Sequence, residues 1–128
     1  MGEPYLAASK ARGKDVAVLT SGGRECGSVY LAGYIVELKL KALMELENRT
    51  FPSSGRAGHD LRHLWEAAGF KRTDLRGNRR LFVDEWSVAL RYQDSLPARI
   101  SFDAMHNGAV ELAGYLQLRL RTPRRIRR

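Results

Sequence analysis

Residues 29–43, which read VYLAGYIVELKLKAL, constrain the fold more than any other part of the chain. Apolar residues recur here at spacings of three and four, the period of a helix face turned toward a core. The members of this stripe are Leu31, Ile35, Leu38, Ala42 and Leu46. Glu37 and Lys41 stand four apart on another face, so we expect an ion pair on the flank, outside the stripe. Gly33 has no side chain and would let a neighbouring helix or subunit approach closely.

The same periodicity predicts helices along the rest of the chain and no strands. We expect helices over residues 4–19, 26–48, 60–68, 81–92 and about 101–122. Asp60 is a good N-cap for the short third helix, and Gly69 is expected to end it. The basic segment 71–80 is expected to be an exposed loop. The predicted fold is all-α: an up-and-down bundle of four long helices plus a short extra helix. This domain spans residues 1–121 and is followed by a basic tail at 122–128.

The net charge of +8 is concentrated in two segments. Residues 71–80 carry five bases and one acid, and residues 119–128 carry six arginines and no acid, so the rest of the chain sums to −2. Such patches suit a phosphate-bearing partner, although a solvated loop and tail would have the same composition. An acidic protein would also fit the arginine tail. The candidate nucleic-acid-binding residues here are Arg76, Arg79, Arg80, Arg124, Arg125, Arg127 and Arg128.

The chain contains one cysteine, Cys26, so no internal disulfide can form, which fits a reducing compartment. No apolar run approaches the roughly 18 residues needed to span a bilayer. The N-terminal segment also lacks the apolar region of a signal peptide. We therefore expect a cytoplasmic protein without a membrane partner.

Three motifs resemble a known family. Residues 22–43, GGRECGSVYLAGYIVELKLKAL, are similar to the second-helix signature of HEPN domains, where a run of the type AGY-x-x-E-x-x-LKAL recurs. Residues 59–69, HDLRHLWEAAG, resemble the HDL-x-x-L helix of the family. Residues 86–92 match its W-x-x-x-LRY segment. The order and spacing agree, and the resemblance covers roughly residues 22–120.

The resemblance implies a helical bundle that usually dimerises, frequently in bacterial and archaeal toxin–antitoxin or defence systems. A minimal nucleotidyltransferase is a common partner of such domains. Many members are metal-independent ribonucleases with an Arg-x(4–6)-His motif at the start of the last helix, and others bind nucleotides or RNA or act only as partners. We therefore expect a homodimer, a nucleotidyltransferase-type partner protein, RNA or a nucleotide as ligand, and no cofactor.

Arg99 and His106 are the candidate catalytic pair. They bound RISFDAMH, formally Arg-x6-His, near the start of the last helix. A histidine that titrates near neutral pH can take the proton of a 2′-hydroxyl, and an arginine can stabilise the phosphorane. Two departures count against the match, because the apolar Ile100 follows the arginine and the wide spacing lets Arg99 lie in the loop. His106 fits equally well as a polar residue of an amphipathic helix.

The remaining candidates each have a structural and a functional interpretation. His59 and His63 are four apart, a spacing that can chelate a metal, but no second ligand cluster accompanies them, so we expect no metal site. Arg91 can complement the last carbonyls of its helix, or reach a phosphate or a dimer partner. It could also neutralise Glu37 if that acid faces the bundle groove. The residues assigned to a structural role or a dimer groove are Glu37, Lys41, His59, Asp60 and Tyr92.

The leading expectation is a nucleic-acid- or nucleotide-binding component of a toxin–antitoxin or defence-type system, without robust catalysis. Two alternatives remain open. One is a metal-independent ribonuclease toxin that uses Arg99 and His106. The other is a structural interaction module that binds an acidic protein.

Overall fold

The computed structural model describes residues 2–52 and 55–124, apart from the side chains of residues 55 and 56. Its α-helices are α1 Glu3–Ser21, α2 Glu25–Leu46, α3 Gly55–Gly58, α4 Leu61–Ala67, α5 Gly77–Glu85 and α6 Phe102–Arg121. Single 3₁₀ turns cover Arg72–Asp74 and Val88–Tyr92. The described residues contain no strand, which confirms the all-α prediction. None of these helices is both long enough and apolar enough to cross a membrane.

The four main helices alternate in direction, and α2 lies at the centre. α1 runs antiparallel to α2, because the Gly2 amide at its start donates to the Glu45 carboxylate over 2.7 Å. At its other end the Thr20 hydroxyl lies 2.7 Å from the Ser28 hydroxyl at the start of α2. α6 packs on α2 in the same direction, and α5 packs antiparallel on α6. The order is therefore up, down, up, down.

The prediction of four long helices is wrong in its third member. The expected helix over residues 81–92 breaks at Trp86, whose backbone is extended at φ −68° and ψ 137°. The break turns the indole onto Gly33, where an added Cβ would lie 1.8 Å from Trp86 Cε2. Trp86 Nε1 also donates to the Tyr30 carbonyl oxygen over 3.1 Å. Three helices have 19 to 22 residues and α5 has nine. Helix α5 ends just before Trp86, where the indole packs closely on Gly33.

Segment 71–80 is also more ordered than the predicted exposed loop. Its last four residues, from Gly77, form the first turn of α5. Leu75 is only 3% exposed and belongs to the core. Leu75 thus anchors segment 71–80 to the core, although the five basic residues of the segment predicted an exposed loop.

The buried side of α2 differs from the predicted stripe. Leu31, Ile35, Leu38 and Leu46 are only partly buried, and Ala42 alone of the five is fully buried. The residues that fill the core are Val29, Ala32, Val36, Leu40, Leu43 and Met44. Because α1, α4 and α6 all pack on α2, most of its middle is covered, including the side that carries Glu37 and Lys41. The expected flank position of Glu37 and Lys41 is therefore wrong, since they are 2% and 3% exposed.

Two local predictions at helix ends are confirmed. Asp60 is the N-cap of α4, and its carboxylate accepts from the amides of Arg62 and His63 at 3.0 and 3.4 Å. Gly69 adopts φ 93° just after α4, the left-handed conformation that ends a helix without strain at a glycine. Together they set where α4 begins and ends.

Candidate nucleic-acid interface

The two basic segments, distant in sequence, meet around one aromatic pair. The rings of Phe70 and Tyr115 lie edge to face with their centroids 5.6 Å apart. The Arg119 guanidinium lies 5.3 Å from the centre of the Phe70 ring, and the Arg79 guanidinium lies 5.8 Å from the centre of the Tyr115 ring. Trp65 stacks on the inner side of Phe70, with a centroid distance of 4.4 Å. Arginines of α5 and α6 therefore share a single surface.

Glu47 holds the end of α6 against the end of α2. It is fully buried, and its carboxylate accepts from the Arg119 guanidinium at 2.7 Å, the Arg49 guanidinium at 3.0 Å and the Arg124 backbone amide at 2.8 Å. A buried carboxylate is stable only with such charged and hydrogen-bonded partners. Since one donor is the backbone amide of Arg124, the chain at residues 122–124 lies at the same end of the bundle as the aromatic pair.

We call this surface the basic face. Arg79 and Arg119 contact the Phe70–Tyr115 pair at its centre. We include the arginines that lie within five positions of these two in sequence, which are Arg76, Arg80, Arg121 and Arg124. Acids neutralise part of it, because Arg79 pairs with Glu111 at 3.2 Å and Arg80 with Asp84 at 3.5 Å. Both pairs are well exposed to solvent, where an ion pair contributes little and exchanges easily for another anion. The exposed Arg76 and Arg121 have no acidic partner among residues 2–52 and 55–124.

The outer part of the tail lies outside the described residues. The predicted binders Arg125, Arg127 and Arg128 belong to it. Of the predicted phosphate binders in the two basic segments, Arg76, Arg79, Arg80 and Arg124 are described and lie on the basic face. Arg91 lies outside the basic face, because it follows α5 and lines a cavity together with residues at the start of α2.

The residues predicted for a groove do come together, in a second region. Glu37 is the centre of the cluster: Lys41 Nζ donates to one carboxylate oxygen at 3.1 Å, and His59 Nδ1 lies 2.9 Å from the other. His59 is about one-third exposed and reaches a cavity of about 390 Å³. The other residues around the cavity are Asp60, Arg62, Trp86, Ser87, Val88, Ala89 and Tyr92.

The hydrogen bond to Glu37 defines what His59 offers to the cavity. A carboxylate can only accept, so a neutral His59 keeps its proton on Nδ1 and leaves Nε2 as an acceptor. Tyr34 packs edge-on against the His59 ring at 6.0 Å. Burial, and then the hydrogen bond with Tyr30, raise the pKa of the Tyr34 hydroxyl, so this neighbour stays neutral. The cluster is a polar contact between α2 and the residue before the N-cap of α4.

Arg91 does not neutralise Glu37, whose partners are Lys41 and His59. Its guanidinium instead lies 4.7 Å from the centre of the Tyr92 ring and donates to the Tyr92 hydroxyl over 2.7 Å. This hydrogen bond raises the pKa of Arg91. Both side chains are exposed, so they are available to a ligand or a partner on the surface next to the cavity.

Arg99 and His106 have different neighbours. Arg99 is exposed and pairs with Glu85 at the end of α5, with 2.7 Å between nitrogen and oxygen. His106 stacks on Phe102 with a centroid distance of 5.4 Å, and it borders a small apolar cavity between α6, α1 and α2. No contact joins Arg99 to His106 in the described part of the chain.

The residues that organise the basic face were missed in the sequence for different reasons. Glu47 meets Arg119 across 72 positions of sequence, and no local pattern marks such a pair. Phe70 had a signal: it is the apolar residue directly after the glycine that ends α4, a position that packs back on the helix. Tyr115 stands on α6 between its core residues, and only the docking of α5 and α4 shows its role.

The described residues contain no group of three histidine, cysteine, aspartate or glutamate side chains arranged to hold a metal ion. The chain matches no protein-family model, no curated protein and no solved structure in the comparisons made. Its resemblance to HEPN domains therefore stays a prediction from the three motifs.

Proposed function

We propose that this chain binds nucleic acid through the basic face. The observation that carries the proposal is the meeting of the two basic segments around Phe70 and Tyr115, with Arg79 and Arg119 on either side. Arginines that track a phosphate backbone and rings on which bases stack are the two parts of a single-strand binding surface. Both rings are half-buried, so each is held in place while part of it stays accessible to a ligand.

The proposal extends to the setting of the chain. Its three motifs support a HEPN-like component of a toxin–antitoxin or defence-type system, acting as a homodimer beside a nucleotidyltransferase-type partner. In this proposal the chain binds RNA or a nucleotide and does not cleave it. The separation of Arg99 and His106, each held by another neighbour, supports binding over catalysis.

A salt titration with matched charge variants tests the binding proposal. Fluorescence anisotropy of a labelled single-stranded RNA measures the Kd from about 50 to 200 mM salt. The variant Arg76→Gln/Arg121→Gln removes two charges from the basic face. The control Arg12→Gln/Arg24→Gln removes two charges from the middle of α1, where Arg12 pairs with Asp15, and from the N-cap of α2, and neither residue belongs to the basic face. We expect about tenfold weaker binding for the first variant and no change for the control.

An acidic protein is the competing partner for the same surface. Poly-glutamate added to the anisotropy assay distinguishes the two: for a nucleic-acid site, RNA must bind more tightly than poly-glutamate at equal charge concentration. Equal weakening of RNA binding in both double variants would mean that net charge, and not the basic face, attracts RNA.

Incubation of RNA with the protein in EDTA addresses catalysis. Cleavage that disappears in His106→Ala would replace the binding proposal with the ribonuclease.

A further inference from the structure

An open groove runs between α1 and α6, which pack on different sides of α2 and barely touch each other. Two cavities, of about 480 and 80 Å³, lie in the groove and share Ile35 of α2 as a wall. From Leu6 to Val16, the α1 residues at its two ends, the groove is about 15 Å long at the helical rise of 1.5 Å per residue. It is separate from both the basic face and the His59 cavity.

One end of the groove is cationic. Lys10 and Lys39 line it, and Lys39 Nζ donates to the side-chain oxygen of Gln117 over 2.6 Å. Burial lowers the pKa of Lys39, and its hydrogen-bond partner there is a neutral amide and not an acid. Ser9, 3% exposed, lines the same end, and its hydroxyl has no hydrogen-bond partner among the described residues.

The other end is apolar and narrow. Its walls are Val16, Ala32, Ile35, Ala109, Val110 and Ala113, with His106 at the far edge. Three of these residues are alanines, and the space that their small side chains leave is a narrow slot of about 80 Å³. Neither cavity has an aspartate or glutamate in its lining. The groove thus combines a cationic end with an apolar slot along one line.

We propose that this groove binds a long-chain carboxylate. The carboxylate lies between Lys10 and Lys39, and the alkyl chain follows Ile35 into the slot between Val16 and Ala109. An anion there supplies the countercharge that the half-buried Lys39 lacks. It also supplies an acceptor for the Ser9 hydroxyl at the same end of the groove. Burial of the chain removes apolar wall and methylene surface from water together.

The shape favours an alkyl chain over a docked helix. A helix with its side chains is about 10 Å across, whereas the slot of about 80 Å³ holds little more than one side chain. The charge also favours a single head group, since the lysines stand at one end only. A helical segment of an acidic protein is therefore the alternative that the experiment must exclude.

Two glycines provide a matched pair of variants. A Cβ at Gly13 or at Gly114 would meet nothing within 4 Å. Gly13 lines the groove, whereas Gly114 lines neither cavity. Both lie inside long helices, where replacing glycine by leucine favours the helical state. We therefore expect Gly13→Leu to fill the groove and Gly114→Leu to leave it open, with the helix content of both variants unchanged by circular dichroism.

Titration calorimetry of the full chain with dodecanoate, below its micelle concentration, tests the proposal. We expect one molecule bound per chain, with dodecyltrimethylammonium at least about tenfold weaker because its charge has the wrong sign. Gly13→Leu and Lys39→Met should each weaken dodecanoate at least about tenfold. Gly114→Leu should leave its Kd unchanged.

Equal affinity for the two head groups, or equal binding by the two glycine variants, overturns the proposal. A lack of dodecanoate binding also overturns it. If Gly13→Leu then blocks association with an acidic protein, the groove binds a helical segment of that protein instead. RNA binding by Gly13→Leu is measured in parallel and should equal that of the original chain. A failure of the groove proposal is thereby separated from a failure of the basic face.

Discussion

Replacing Glu47 by glutamine tests whether the end of the bundle is held by one buried carboxylate. The substitution keeps the shape and one acceptor oxygen but removes the charge. Arg119 and Arg49 then face a neutral amide, and either the Arg49 or the Arg119–Arg124 side of the cluster loses its acceptor. The change therefore acts on the group that joins α2, α6 and the start of the tail.

The magnitude follows from burial. Breaking a buried ion pair by removing one partner costs about 3–5 kcal/mol. Here Glu47 is fully buried, but the side chains of Arg49 and Arg119 are 27% and 20% exposed, so water reaches the cations that are left. We therefore expect the lower end of the range, about 3 kcal/mol. For a chain of this size that corresponds to a fall in Tm of about 10 °C.

Urea unfolding followed by circular dichroism measures the effect. With an m-value of about 2 kcal/mol per M, a loss of about 3 kcal/mol moves the midpoint by about 1.5 M. Glu111→Gln is the matched control, because Glu111 also pairs with an arginine but both side chains are well exposed. It should cost at most about 0.5 kcal/mol. A Glu47→Gln midpoint equal to that of Glu111→Gln would refute the role given to the buried carboxylate.

Three further predictions concern single side chains. Gly33→Ala forces a methyl group into the Trp86 indole and should cost about 3 kcal/mol in the same urea assay, the upper end for overpacking; a loss below about 1 kcal/mol would show that the indole moves freely. Because the pKa of Tyr34 is raised above 10.0 in the fold, the phenolate is disfavoured there, and the unfolding free energy should fall as pH rises above about 10. Tyr34→Phe should reduce this fall and the exposed Tyr92→Phe should not; equal curves would contradict the assignment. Burial raises the pKa of the Cys26 thiol, so Ellman's reagent should label it slowly in the folded chain and at once in urea, whereas fast labelling of the folded chain would mean that the start of α2 opens.

The limits of the sequence are physical and differ from place to place. Helices and their caps depend on neighbours in sequence, so the all-α fold, the Asp60 cap and the Gly69 stop followed from local rules. The buried face of α2 did not, because an apolar stripe identifies one side of a helix and this helix is covered on several sides. The prediction therefore placed Glu37 and Lys41 on an exposed flank, whereas both side chains are buried.

Trp86 shows the same limit in another form. Its neighbours have helical periodicity, and the chain nevertheless breaks there, because the packing of the indole on Gly33 outweighs one turn of helix. The sequence marked Gly33 as a point of close approach and Trp86 as a motif residue, but not that the two meet. In the candidate site, the arginines were marked by composition, while Glu47, Phe70 and Tyr115 gained their roles only from contacts between distant segments.

The salt dependence of RNA binding is the most direct test of the central claim. For single strands the slope of log K against log salt is about −0.7 for each phosphate neutralised. If Arg76 and Arg121 each contact a phosphate, the double variant Arg76→Gln/Arg121→Gln should have a slope shallower by about 1.4 than the original chain. The control Arg12→Gln/Arg24→Gln should keep the original slope. An unchanged slope in the basic-face variant would contradict the claim that this surface binds nucleic acid.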